Sequence, residues 1–265
     1  DMGLIAGIIM PIYGGFLVRS MSPFDLIKSP LKWLQNISDI KADVSGGPTF
    51  AYHLCLKLSD EEIEHLDLSD WTCAFCGAEP IRSDILRKFA EKFEKCNFNR
   101  HSFSSCYGLA ESTLFVVAKT HFSMDEVIAF DRRKLFHESR AQPTSEKGEG
   151  IEIVSCGTGP STQDIKIIDP TTHAMLKESQ VGKIVVQSDS VALGYWNKGE
   201  AINKAFHLLL ENGKEYCDTG DLGFILKGEL FITGRLKEIL IIHGINYNPE
   251  PIEHVIEGIS PNIRA

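Results

Sequence analysis

The sequence predicts an α/β fold in which a layered sheet-and-helix part precedes a β-rich part. Three observations carry the prediction. Short apolar strands alternate with amphipathic helices through the first part of the chain. From residue 151 the pattern changes to short strands separated by Gly, Pro and Asp. Gly234 is then followed by a fresh strand-like run, EILIIHG. With 265 residues, 43% apolar and 24% charged, the composition is globular rather than fibrous or disordered. A chain of this length buries roughly 70% or more of its unfolded surface.

Taken in order, residues 1–20 read as a buried helix containing glycines, then a turn at Gly14-Gly15 and a short strand, FLVRS. Ser22-Pro23 caps the next helix start. Residues 30–40 have helical spacing, with Leu31, Leu34, Ile37 and Ile40 facing inward. ADVSGGP is a strand entering a glycine turn, and residues 49–58 form a helix. Ser59, with Glu62 three positions on, makes a capping box. Trp71 to Cys76 is a strand ending in the turn Gly77-Ala78-Glu79-Pro80. Residues 82–95 are a strongly amphipathic helix with Ile85, Leu86, Phe89 and Phe93 on one side. HSFSSCYG is another strand and turn. Residues 131–150, charged and without apolar periodicity, read as an excursion or surface loop. The strands IEIVS, DIKIID, KIVVQS, GFILK and ELFITG follow, with a domain boundary at 234–237 and an amphipathic helix over 250–257.

Composition excludes several function classes. A formal charge of -9 makes the chain a poor general binder of nucleic-acid phosphates. No run of 18 apolar residues predicts a transmembrane span. Seven irregularly spaced cysteines fit a reducing, cytoplasmic setting better than a disulfide scaffold. The opening Asp1-Met2-Gly3-Leu4 has no start Met and no signal n-region, so the chain reads as an interior piece of a longer protein. The sequence contains neither GxxxxGK[ST] nor a GxGxxG after a strand, which argues against a phosphate-loop protein and a dinucleotide-dependent oxidoreductase.

Several short segments have chemistry to offer, each with an ordinary structural alternative. Cys73 and Cys76 form a lone CxxC; lacking a second pair, it reads as two packed cysteines without metal. Gly46-Gly47-Pro48 and the Gly77 turn each leave a strand for a helix, where backbone N–H groups collect ligands, but ordinary turns look the same. Tyr107 can lay its ring over a base, Gly108 permits close approach, and Glu111 can hold a divalent metal bridging phosphates; the alternative is a turn with a solvated acid. In Asp218-Thr219-Gly220-Asp221 a carboxylate can accept from vicinal hydroxyls, or the segment is an Asx turn. Arg235 offers a donor fork suited to phosphate or ribose. His243 stands near this motif and receives no catalytic role.

In order and spacing, YGLAEST, VGKIVVQSDSVALGYW and YCDTGDLGFILKGELFITGRLKEILIIHGINYNPEPIE together resemble the adenylate-forming superfamily of acyl-CoA synthetases, luciferases and peptide-synthetase adenylation domains. DMGL, VSGGPTFAYHLC and CGAEPIR narrow the resemblance to the fatty acyl-AMP ligase branch, and it covers essentially the whole chain. The resemblance implies a layered large domain over 1–150, with a family-specific insertion over 119–150. It further implies a β-rich, distorted-barrel subdomain over 151–233, a hinge at 234–237, and the start of a small α+β C-terminal domain over 238–265.

It also implies site roles. Gly77, Ala78 and Glu79 would line the adenine pocket and Tyr107, beside Gly108, would stack on the adenine. Glu111 would associate with Mg2+. Asp221 would grip the ribose hydroxyls, Arg235 would lie near ribose and phosphate, and Lys237 would sit at the hinge pivot. Gly46, Gly47, Pro48 and Tyr52 would wall the acyl pocket. The implied cofactors are ATP/AMP and Mg2+; the implied partners are a fatty acid and an acyl carrier protein or the carrier domain of a polyketide or peptide synthase.

Ala110 stands where many superfamily members have a phosphate-holding Thr, and His243 and Ile245 stand where arginines are common. The family's pyrophosphate-wrapping loop would precede residue 1 and its C-terminal lysine would follow residue 265, so this stretch alone is expected to adenylate very poorly. Rival readings are an acyl-CoA synthetase of the same fold and a non-catalytic nucleotide- or acyl-binding module.

Overall fold

The strands at 44–47 and 73–76 cannot satisfy their backbone groups alone, and each finds a neighbour. In the computed structural model, which describes residues 1–145, 150–199, 203–238, 240–242, 245–247, 249, 252 and 256, they start a four-stranded sheet. Its order is β1 (Val44–Gly47), β2 (Cys73–Cys76), β3 (Phe103–Gly108) and β4 (Phe115–Lys119). The first three strands run parallel and β4 is antiparallel to β3. The chain divides into two compact units, Asp1–Val127 with Val154–Thr162, and Ile128–Ile153 with Gln163–Ala265.

In the first unit the helices form where caps and periodicity predict. They are α1 (Met2–Leu4), α2 (Met10–Gly14), α3 (Pro23–Lys28), α4 (Leu31–Ile40), α5 (Thr49–Cys55), α6 (Asp60–Ile63) and α7 (Ser83–Phe93). The Ser22 side chain caps α3, and Ser59 and Glu62 close the expected reciprocal box at α6. α4 buries Trp33, Leu34 and Ile37, and α7 buries Ile85, Leu86, Phe89 and Phe93. These meet Tyr52, Trp71, Phe98 and Phe103 in one core. Trp33 and Phe89 each pack edge-on to Tyr52, with ring centroids 5.4 and 5.1 Å away. The polar ends of the rings are satisfied. Trp71 Nε1 donates to Ser45 O and Cys73 O, each at 3.1 Å, and Tyr52 Oη donates to Phe75 O at 2.7 Å.

The opening segment departs from expectation. Residues 1–14 are helical, through α1, a π-helical turn at Ile5–Ile9 and α2, but the only buried residue is Pro11. Ile12, Tyr13 and Leu17 are 77%, 93% and 87% exposed, and residues 16–20 form no strand. An all-round apolar helix reads as buried; that signal reports hydrophobicity and not whether a facing element exists among the described residues.

The second unit contains β5 (Ile128–Asp131), α8 (Arg132–His137), β6 (Gly150–Ile153), β7 (Asp164–Ile168), β8 (Gly182–Gln187), β9 (Leu208–Leu209), β10 (Glu215–Leu226), β11 (Glu229–Arg235), β12 (Leu240–Ile242) and β13 (Ile245–Tyr247). Its main sheet has the order β11-β10-β8-β7, with β9 also on β10. The expected distorted barrel is not what forms: β11 and β7 are open edges, and no described sheet closes. Closure needs the end strands to pair. Instead the separate β5–β6 ribbon and α8 bring Phe130, Leu135 and Ala141 against Phe224 and Phe231, so the apolar face is covered by a second layer. This also corrects the loop reading of 131–150, whose described part contains α8 and the buried Leu135 and Ala141. His243 and almost all of the helix read over 250–257 lie outside the described residues.

Candidate functional site

In the first unit the turns leaving β1 and β2 are stitched together by specific contacts, and a third turn leaves the neighbouring β3. At the end of β1 a Cβ on Gly46 would lie 2.1 Å from Phe75 O of the adjacent strand, so only glycine fits. Pro48 then takes an extended conformation before α5. The amide of Phe50, in the first turn of α5, donates to Glu79 Oε1 at 2.7 Å. The Thr49 hydroxyl donates to Pro80 O at 3.3 Å and accepts from the Arg82 amide at 3.4 Å. The turns after β1 and β2 are therefore one cross-linked structure. Ala78 sits at φ 67°, a left-handed conformation that costs a non-glycine residue about 1–2 kcal/mol.

The third turn follows β3. Tyr107 and Gly108 end the strand at a register shift against β4, and a Cβ on Gly108 would lie 1.8 Å from Leu114 O. A 3₁₀ turn at Ala110–Ser112 carries Glu111, and Thr113 follows at φ 65°. Tyr107 and Glu111 are half-buried. Tyr52 lies in the aromatic core with no exposed surface, whereas Pro48 is half-buried and Ala78 and Glu79 are exposed.

In the second unit Asp221 and Arg235 face each other across β10 and β11, and Arg235 Nε donates to Asp221 Oδ1 at 3.1 Å. The two ends differ sharply in environment: the Asp221 side chain is 10% exposed and that of Arg235 is 66% exposed. Arg235 Nη1 also lies 3.9 Å from Glu238 Oε1. Lys237, in the 3₁₀ turn Leu236–Glu238, is exposed. Asp221 projects from a bulge: Asp218 pairs with Val185 and Leu222 with Lys183, so residues 219–221 stand opposite Ile184 alone. The Thr219 hydroxyl donates to Ile184 O at 2.8 Å and accepts from the Asp221 amide at 3.1 Å. Gly220 adopts φ 75°, as this turn requires.

Against known proteins, the model of the AMP-binding enzyme family matches residues 1–196. The chain belongs to the AMP-binding enzyme family. It is 39% identical to the medium-chain-fatty-acid–[acyl-carrier-protein] ligase JamA of Moorena producens, over 100% of this chain and 46% of that protein. It is 35% identical to the putative fatty-acid–CoA ligase FadD21 of Mycobacterium tuberculosis, over 98% of this chain and 46% of that protein. Among solved structures, the fatty acyl-adenylate ligase from L. pneumophila in complex with acyl adenylate and pyrophosphate superposes with a TM-score of 0.84. That enzyme shares 41% identity over 98% of this chain and 46% of its own. The chain thus spans about half the length of the relatives it matches. These relatives bear out the resemblance to the fatty acyl-AMP ligase branch.

For a member of the AMP-binding enzyme family, the thiols near the strand ends offer no nucleophile. Cys73 and Cys76 fall on opposite faces of β2. Burial pushes the Cys76 thiol up to about 12 and the Cys106 thiol up to about 11, whereas a reactive cysteine needs a lowered value. The sequence reading did not anticipate the Thr49 and Glu79 stitching or the ion pair of Lys183 with Asp218. Lys183 did leave a trace, as a lone cation in the apolar run KIVVQ. Among the described residues no helix is long and apolar enough to cross a membrane.

Proposed function

We propose that the protein is a fatty acyl-AMP ligase. It activates a fatty acid with ATP to the acyl-adenylate, releases pyrophosphate, and passes the acyl group to the phosphopantetheine thiol of an acyl carrier protein or carrier domain. The observation that carries the reading is the 41% identity, over 98% of the chain, to a fatty acyl-adenylate ligase bound to acyl adenylate and pyrophosphate. The substrate carboxylate is itself the nucleophile. One of its oxygens bonds to the α-phosphorus while the bond to pyrophosphate breaks, so the protein supplies position and charge rather than an attacking group. The carrier thiol then attacks the acyl carbon, AMP leaves, and the thiol proton goes to solvent.

Each side chain has a stated task in this reading. Gly77, Ala78 and Glu79 line the adenine site, Tyr107 stacks on the base, and Gly108 lets the chain turn there. Asp221 accepts hydrogen bonds from the ribose hydroxyls, and Arg235 supplies positive charge beside ribose and phosphate. Gly46, Gly47 and Pro48 border the acyl chain, and Tyr52 backs them from the core. Residues 234–237, with Lys237, form a hinge between the large domain and a C-terminal domain beginning near 238; residues 119–150 limit productive use of CoA. Among the described residues no group of three His, Cys, Asp or Glu could hold a metal. A Mg2+ carried mainly by nucleotide phosphates needs only one or two carboxylates, and Glu111 fits that requirement. Such an ion would neutralise phosphate charge. All seven cysteines are free, consistent with a reducing cytoplasmic setting.

The similarity to FadD21, named a putative CoA ligase, favours acyl-CoA synthesis as the second reading. The test gives the protein, in its complete reading frame, ATP, Mg2+ and fatty acids of graded length, then either a carrier protein or CoA, with products read by mass spectrometry. Acyl-AMP and acyl-carrier are expected. Robust acyl-CoA would reverse the choice between the two, and no acyl-AMP with any acid would end the proposal.

A further inference from the structure

Two charged side chains are buried among the described residues, Lys183 and Asp221, each 7% exposed. Both belong to the same bulge. An ammonium group is costly to bury unless it is paired, and Lys183 Nζ lies 2.5 Å from Asp218 Oδ2. The pair spans the irregularity. Asp218 is the last regularly paired residue on one side of the bulge, while Lys183 is the register partner of Leu222 on the other. The ion pair therefore ties together the two ends of a segment in which three residues face one.

The remaining Asp218 oxygen works inside the bulge. Asp218 Oδ1 accepts from the Gly220 amide at 3.1 Å, while Thr219 bonds both to Ile184 O and to the Asp221 amide. Without an anchor, a bulge can be absorbed by a change of register, and a slip of one residue turns a side chain to the opposite face of the sheet. Asp221 is the side chain with most to lose from such a slip, because its carboxylate is held toward Arg235 from a nearly enclosed position.

We propose that Lys183, acting through Asp218, is the positioning residue that holds the Asp221 carboxylate where the ribose hydroxyls of a nucleotide reach it. The proposal rests on the ribose role given to Asp221 above. Lys183 touches neither nucleotide nor acyl chain in this account; its effect is to fix where an acceptor stands. A misplaced acceptor penalises a ligand that has the hydroxyl and spares one that lacks it.

The test measures dissociation constants for AMP and 2′-deoxy-AMP on the protein in its complete reading frame, with amide hydrogen exchange at residues 218–221 as a ligand-free readout. The unaltered protein is expected to prefer AMP by about tenfold or more, because a site built to bond a hydroxyl rejects the analogue lacking it. Lys183→Met should weaken AMP by about tenfold, leave 2′-deoxy-AMP within about twofold, and speed exchange at 218–221. Reversing the pair, Lys183→Asp with Asp218→Lys, should restore most of the preference. A folded Lys183→Met variant with undiminished preference for AMP overturns the positioning role alone. If Lys183→Met does not fold, the reversed pair decides: a folded double variant without the preference overturns the role, and one that keeps it supports the role. Unaltered protein that does not distinguish the two nucleotides overturns the ribose reading of Asp221 and this proposal with it.

Discussion

Each of the two units holds its own candidate residues, and the two do so by different physics. In the first, the turns after three neighbouring strands rest on an aromatic core, and glycines at 46, 77 and 108 allow backbone contacts that a Cβ would forbid. In the second, Asp221 stands on a bulge whose shape comes from the ion pair of a buried lysine with a half-buried aspartate, a threonine hydroxyl and a left-handed glycine. Packing of this kind is insensitive to charge and intolerant of volume change. A polar network behaves the other way: it tolerates small changes of volume and fails when one partner is removed. The comparison teaches that substitutions in the aromatic core and at the strand-end glycines of the first unit should register mainly as stability, and those around the bulge mainly as ligand recognition.

The sharpest way to break the comparison is Trp71→Ala. Trp71 is fully buried and touches Trp33, Phe89 and Phe98, so its removal should cost about 3–5 kcal/mol in urea unfolding. A loss below about 1 kcal/mol would mean that the core does not support the turns as described. Next is Gly108→Ala, which forces a methyl group against Leu114 O and should cost about 1–3 kcal/mol. Glu79→Ala removes the acceptor of the Phe50 amide and should cost about 1 kcal/mol, with faster hydrogen exchange at the start of α5. Unchanged exchange there would separate the turns after β1 and β2.

The smallest effect concerns Asp164 in the second unit. Burial opposes its ionisation, yet hydrogen bonds from Lys166 and Tyr216 and the charges of Lys166 and Lys214 hold its carboxyl below the usual carboxylate range. A depressed folded value contributes stability that is present above the unfolded value, about 3.9, and lost as pH falls through the folded value. Asp164→Asn should therefore flatten the stability profile below about pH 4 while barely changing its shape near neutrality. A variant whose acid limb matches the parent would show that the contacts of Asp164 with Lys166, Tyr216 and Lys214 have no net electrostatic worth.

Local rules made much of this fold legible. The Ser59–Glu62 box, the Ser22 cap and the apolar stripe of α7 each depend on residues within a turn or two, and each forms as read. What failed was non-local. The apolar opening read as buried because sequence records hydrophobicity without recording what covers it. The barrel failed because strand spacing does not say whether edge strands meet, and here a ribbon bearing Phe130 covers the sheet. The charged run at 131–150 hid Leu135 and Ala141, whose burial depends on strands far along the chain. The candidate site shows the same division. Tyr107, Glu111, Asp221 and Arg235 were visible as motif residues, whereas the Glu79 contact and the Lys183–Asp218 pair join positions that no local pattern relates.

Fatty-acid-dependent exchange of labelled pyrophosphate into ATP tests the central claim most directly, with the protein in its complete reading frame compared with its Asp221→Ala variant. The account predicts exchange that requires a fatty acid and falls by about 100-fold in the variant, the scale of losing a buried, charge-assisted contact. Exchange undiminished in Asp221→Ala, or absent from the parent with every fatty acid, would contradict it.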